Sequence, residues 1–170
     1  MSSDTRSVVD GVRRVEILKQ ELDYFYQGYL DSLGSVEINF KNELHKYTCI
    51  RLAGFLEQIF FIAIDSYVRA SSGSNASAFG LSNWKKAPNL GPDALEKLVK
   101  RFGSEEWDRS LADLIDGGDF KGDLGVLLKI RNDSAHGKSY GGSIASVESY
   151  KKMIDQIYKW VLATFLDGKG

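Results

Sequence analysis

Apolar side chains at Val15, Leu18, Leu22, Phe25, Tyr29 and Leu33 recur every three or four positions, the spacing that lines one face of an α-helix. The pattern predicts a first helix from about Ser7 to Leu33, stopped by Gly34. A second helix is predicted from about Val36 to Ala70. At about 100° per residue, Thr48, Leu52, Phe55, Leu56, Ile59 and Ala63 share one apolar face. Ile50, Phe61, Ile64 and Val68 form a second face roughly opposite. A helix apolar on two sides is a central one, packed against several neighbours.

The two prolines, Pro88 and Pro92, sit close together and leave long flanks free of this helix breaker. From Ser71 to Gly91 the chain turns rich in Ser, Gly, Ala and Asn, with Trp84, Lys85 and Lys86 inside. It reads as an exposed loop or lid over about 71–91. Pro92 stands where a helix begins, with Asp93 in its first turn. Ala94 to Phe102 reads as helical and Gly103 ends it. Ser104, with Glu105 and Glu106 behind it, is the N-cap of another short helix leading to Ile115. Gly117 and Gly118 break it. A further helix runs from about Asp119 to His136 and closes at Gly137. Gly141 and Gly142 mark a turn. The last helix spans about Ser146 to Leu166, with Tyr150, Met153, Ile157, Trp160 and Val161 on its buried side. No strand-like alternation persists. The expected fold is an all-α helical bundle of four principal helices plus one or two short helices, a single domain over residues 1–170.

Composition fits a globular chain: of 170 residues, 43% are apolar and 26% charged, enough to bury a core without staples. The net charge of −1 creates no global field for nucleic acid or membrane, so any anion contact must be local. Cys49 is the single cysteine, which excludes an internal disulfide and a cysteine-held zinc. The longest apolar run, Ile59 to Ile64, is far shorter than a membrane span, and Met1 to Asp10 lacks the apolar core of a signal peptide. A cytoplasmic protein without membrane contact is expected.

The segment Phe120 to Gly137 breaks its own pattern. With Leu124 as origin, Phe120, Leu127, Leu128 and Ala135 fall within about 60° on the helical wheel. Arg131 lands about 20° from it, inside the apolar stripe. A guanidinium there is costly unless it is paired or faces a cleft. Glu57 lies among Ile50, Phe61, Ile64 and Val68 on the second apolar face of the central helix. A buried carboxylate needs a cation, and Arg131 or His136 fits. Such a pair suits a purely architectural core as well as a site that orients a catalytic group. Asn132 and His136 are four apart and share one edge of the stripe. Arg131 and His136 are separated by about 7.5 Å of helical rise, a gap a long Arg side chain largely closes. Together they have the chemistry to address one phosphodiester: Arg131 as a two-donor clamp, His136 as proton donor or acceptor. The C-terminal end of the helix favours positive charge at His136.

Arg131-Asn132-Asp133-Ser134-Ala135-His136-Gly137 resembles the signature of the HEPN superfamily, an Arg, a polar residue, three further positions and a His near the end of a bundle helix. The layout resembles the small bacterial HEPN proteins of the RiboL-PSP type over most of the chain. Residue-level likeness is confined to the motif and, weakly, to Arg51 through Glu57. The resemblance implies a metal-independent endoribonuclease, free of cofactors, that works as a homodimer with two motifs lining one cleft. Arg131 then holds the scissile phosphate, and His136 exchanges a proton with the attacking 2′-hydroxyl or the leaving 5′-oxygen. Asn132 orients His136 or the phosphate, with Glu57 in support. The products are a 2′,3′-cyclic phosphate and a 5′-hydroxyl, and the partner is RNA, because DNA lacks the 2′-hydroxyl. The setting implied is a bacterial toxin, defence or stress system, with an antitoxin or regulatory protein as a further partner. Other HEPN domains are non-catalytic modules for dimerisation or for binding RNA, nucleotides or partner proteins, and that is the alternative reading.

Between Lys121 and Tyr140 the bases Lys121, Lys129, Arg131 and Lys138 face only two acids, Asp123 and Asp133. This local surplus makes Lys129 and Lys138 candidates for contacting nucleic acid, although Asp133 sets a negative charge beside the clamp. His45 shares the core face with Leu52 and Ile59 and reads as a satisfied core or interface histidine. No His-x-x-x-His or Glu-x-x-His pair is present, so no metal site is expected. Ser134 is poorly placed to pair with His136 as a nucleophile, and Cys49 reads as packing. The paired glycines have no strand before them and so lack the setting of a nucleotide-binding loop. Trp84 reads as an anchor of the 71–91 loop; with Lys85 and Lys86 it also suits stacking on a base beside a phosphate.

Overall fold

The computed structural model describes residues 3–82, 84, 90–118, 120–138 and 140–167. These form an all-α bundle. In chain order come α1 (Ser3–Ser32), α2 (Ile38–Ser71), α3 (Ser74–Gly80), α4 (Pro92–Lys100), α5 (Glu105–Gly117), α6 (Phe120–Ala135) and α7 (Ile144–Val161). A π-helical turn, Leu162–Leu166, extends α7, and the next amide, that of Asp167, donates to Leu162 O at 2.9 Å. Four long helices, α1, α2, α6 and α7, carry the fold; α3, α4 and α5 are shorter.

The short link between α1 and α2 makes them antiparallel neighbours. Val15, Leu22 and Tyr29 are the α1 residues sealed in the core, one every two helical turns. At Gly11 the two helices come so close that a Cβ would collide with Ser66 Oγ, which favours glycine there. On α2, Leu52, Leu56, Ile59 and Ala63 have no solvent exposure and Ile64 is buried behind them. The helix therefore sits in the middle, against α1, α6, α7 and the π turn. By length and composition α2 is apolar enough to cross a membrane, yet 67% of its most apolar stretch is buried inside the protein.

The remaining elements obey local rules. Pro92 occupies the first turn of α4, with Asp93 next to it. Ser104 Oγ accepts from Trp107 N at 3.3 Å and caps α5, and Ser143 caps α7 through Ser146 N. Tyr67, Phe102, Trp107 and Phe165 meet edge-on at centroid separations of 5.1–5.9 Å, and Trp160 Nε1 donates to Ser110 Oγ at 3.0 Å. These contacts lock α5 and the π turn onto α2.

The expected loop over 71–91 contains α3, a helix that its Ser, Asn and Gly content concealed. Trp84 anchors the chain beyond α3: its Nε1 donates to Phe61 O at 3.2 Å and its ring stacks on Phe61 at 6.0 Å. Lys85 and Lys86, offered with it as a stacking and phosphate site, lie outside the described residues, as does Asp119, the expected start of the sixth helix. A buried cation that the sequence pattern did not reveal, Lys151 on α7, is satisfied by Asp23 at 2.9 Å and Asp155 at 2.7 Å. With Lys19 completing the network, this ties α1 to α7.

Candidate active site

The site is built at the C-terminal end of α6. Phe120, Leu124, Leu127, Leu128 and Ile130 bury the helix against the bundle. Past Ile130 no residue of α6 is fully buried, and Ala135, placed by the helical wheel in the apolar stripe, is exposed. Arg131 stands where the buried stripe gives out. Its side chain is 38% exposed, while its partner Glu57 on α2 is only 6% exposed. Arg131 Nη2 donates to Glu57 Oε2 at 3.0 Å, and Arg131 Nη1 donates to Asn132 Oδ1 at 3.1 Å. Two of the five N–H donors of a guanidinium are thus held by the protein. Among the described residues nothing engages the others, and the group is open to solvent.

Asn132 therefore steadies Arg131, and no hydrogen bond joins its side chain to His136 among the described residues. Helix α6 ends in a Schellman cap. Lys138 N donates to Asp133 O at 3.0 Å, Gly137 N donates to Ser134 O at 3.1 Å, and Gly137 adopts φ 72°, the left-handed turn that favours glycine. His136 is consequently the residue that caps the helix, one position beyond its last helical residue, Ala135, and its side chain is exposed. Ser134 Oγ donates to Ile130 O at 2.7 Å, so its hydroxyl is spent on its own helix.

Lys129 and Lys138 do not stand free. Both ammonium groups converge on Asp133, at 2.5 Å and 2.9 Å. Their hydrogen bonds hold the Asp133 carboxyl down at about 2, well below its ordinary value. The cluster keeps a net charge of +1 at neutral pH, less than two unpaired lysines would supply. Because the pairing depresses the Asp133 carboxyl, its contribution persists above pH 3.8 and fades as the pH falls towards 2.

Glu57 behaves oppositely. Burial pushes its carboxyl above the ordinary 4.5, and Arg131 offsets this only in part. Its second oxygen, Oε1, is buried with no hydrogen-bond partner among the described residues. A raised carboxyl favours the fold below pH 4.5, and that advantage is lost as the pH rises through the folded-state value. Glu57→Gln is therefore expected to melt at or above the native temperature at pH 7, with the difference closing as the pH falls through 4.5. Melting curves of both proteins between pH 3.5 and 8 check this.

The other candidates are placed as packing. His45 is buried, its Nδ1 2.8 Å from Tyr29 Oη, and desolvation lowers its imidazole. Cys49 is sealed in the core, and burial pushes its thiol up to about 11, which makes it a poor nucleophile at neutral pH.

A feature that sequence patterning did not single out adjoins Glu57. Between α1 and α2 lies a cleft of about 280 Å³ lined by Leu22, Arg51, Gly54, Glu57 and Gln58 among others. Gly54 sits in the interior of α2, where glycine costs about 1 kcal/mol relative to alanine. A Cβ there would meet nothing within 4 Å, so packing does not demand this glycine. The signal available in sequence was a lone glycine in a strongly helical run.

Comparisons with protein-family models, curated proteins and solved structures give no match.

Proposed function

We propose that this protein is a cytoplasmic, metal-independent endoribonuclease that cleaves RNA by attack of a 2′-hydroxyl, at a site completed by a second copy of the chain. The observation that carries the reading is Arg131: a guanidinium set at the margin of an apolar helix face, steadied by Glu57 and Asn132, with its remaining donors open to solvent. A clamp fixed in this way grips two phosphate oxygens without reorganising. His136, exposed one turn further on, is the group that transfers the proton. A homodimer brings two such ends of α6 together, and one His136 acts as base while the other acts as acid. The HEPN-like motif Arg131–His136 supports the same chemistry and a role in a toxin or defence system controlled by an antitoxin or regulatory protein.

The experiment is incubation of purified protein with RNA in EDTA, then end-group analysis. The expected products carry a 2′,3′-cyclic phosphate and a 5′-hydroxyl, and DNA of the same sequence stays intact. RNA left whole by a dimeric preparation refutes the catalytic reading.

The Lys129–Asp133–Lys138 cluster supports RNA contact at reduced strength. Asp133→Asn releases both lysines. It should tighten RNA binding and steepen the logarithmic salt dependence by about 0.7 to 1.4, since each phosphate contact on a single strand contributes about 0.7. Titrations of labelled RNA over a range of about 50 to 300 mM salt measure this slope.

One observation favours a second reading, a non-catalytic module for dimerisation or for binding RNA or a partner protein. Arg131 is already neutralised by Glu57 within the same chain. That reading predicts binding untouched by His136→Ala and no cleavage at any time.

A further inference from the structure

We propose that the cleft between α1 and α2 is a base-recognition pocket that takes a guanine of the RNA substrate. The inference rests on the ribonuclease reading and names the substrate feature that it selects. Three observations meet in the cleft.

The first is Glu57. It lines the cleft, one of its oxygens holds Arg131, and the other is buried without a partner among the described residues. That oxygen has no accessible surface, so a base reaches it only by displacing the side chains that cover it; a buried acceptor left unmatched is costly, and a donor delivered there then gains more than it would in water.

The second is Gly54. On the helical wheel of α2, Arg51 and Gln58 lie to one side of Gly54, and Glu57 lies to the other. The missing side chain leaves open space at the centre of the functional groups. The third is the wall: Leu22 and Phe55 are buried and line the same cleft, an apolar surface for the flat face of a base. The volume of about 280 Å³ is near the lower end for small-ligand pockets, roughly 300 Å³, and suits a single base.

The polar groups select among the four bases. Guanine carries donors at N1 and N2, which match a carboxylate, and acceptors at O6 and N7, which match a guanidinium in a paired fork. Glu57 supplies the first, and Arg51, whose guanidinium lies 5.1 Å from the Phe25 ring, supplies the second. Adenine offers no N1 donor. Uracil and cytosine are smaller and lack the N7 acceptor. With Arg131 on the opposite oxygen of Glu57, one carboxylate links the base pocket to the phosphate clamp.

The test is titration of the native, ¹⁵N-labelled protein with each of the four ribonucleoside 3′-monophosphates, read by amide chemical shifts. Guanosine 3′-monophosphate should move the amides of Gly54 and Gln58, and should bind at least about tenfold tighter than the other three, a ratio worth about 1.4 kcal/mol. Gly54→Met fills the space with a side chain that suits a helix and should abolish those shifts. Gly54→Ala, still better suited to a helix, serves as the folded control and should weaken them. Arg51→Ala should remove the preference for guanine. Equal responses to all four nucleotides overturn the proposal, as does the absence of shifts at Gly54 in protein whose amides near Arg131 respond. Guanine bound in the cleft by a protein that leaves RNA intact upholds the pocket and refutes only the cleavage.

Discussion

Arg131→Ala is expected to reduce RNA cleavage by at least about 10³-fold, since loss of even one donor to a developing oxyanion costs about 10²–10³. The same substitution strands Glu57, a carboxylate 6% exposed, without its cation. Breaking a fully buried pair costs about 3–5 kcal/mol. Here the guanidinium is 38% exposed and Glu57 can take up a proton, so a loss of about 2 kcal/mol is expected. Activity and stability are thus both lowered, and the double variant Arg131→Ala/Glu57→Gln separates them. With neither charge of the pair left, it should regain the native melting temperature and remain inactive. Thermal melts alongside cleavage of end-labelled RNA give both readouts. A single variant that melts lower but cleaves at the native rate shows the pair to be purely architectural.

His136→Ala should lower the cleavage rate by about 10²–10⁴, the range for a lost general acid or base. It should do so without a change in fold. The side chain is exposed and its position in the Schellman cap is held by backbone bonds, so stability should stay within about 0.5 kcal/mol. RNA binding, measured by anisotropy, should also persist, because the clamp and the lysine cluster are untouched. The contrast with Arg131→Ala is diagnostic: one variant loses grip and stability, the other loses only the proton transfer. Native cleavage rates in His136→Ala remove the imidazole from the chemistry.

The fold was legible because its periodicities are long. The α1 stripe, the first apolar face of α2, the capping Ser104 and the stop at Gly137 each act within one helix, and the structure has them; of the second α2 face only Ile64 is buried, with Ile50, Phe61 and Val68 half-buried. The pairing of Arg131 with Glu57 was legible for a related reason, since each is a charge on an apolar face and neither is stable there alone. What escaped depends on where a helix lies relative to its neighbours. Ala135 continues the apolar stripe of α6, but no neighbour covers it and it is exposed. Lys129 and Lys138 count as surplus charge along the chain, whereas the helical turn and its cap bring both onto Asp133. Asn132 shares an edge with His136 on a wheel, yet its carbonyl oxygen turns to the adjacent guanidinium. Lys151 looks like a solvated lysine until α1 contributes Asp23. Helix α3 is short and made of residues that favour turns, so no periodicity announces it.

The thin cover over the last turn of α6 has a mechanical consequence. Its terminal hydrogen bonds are shielded by little apolar packing, while those of the middle of α2 are enclosed by neighbouring helices. Local opening is cheapest where packing is thinnest. Amide exchange should therefore begin at this end of α6 long before it reaches the middle of α2, while the Glu57–Arg131 pair keeps the guanidinium in place.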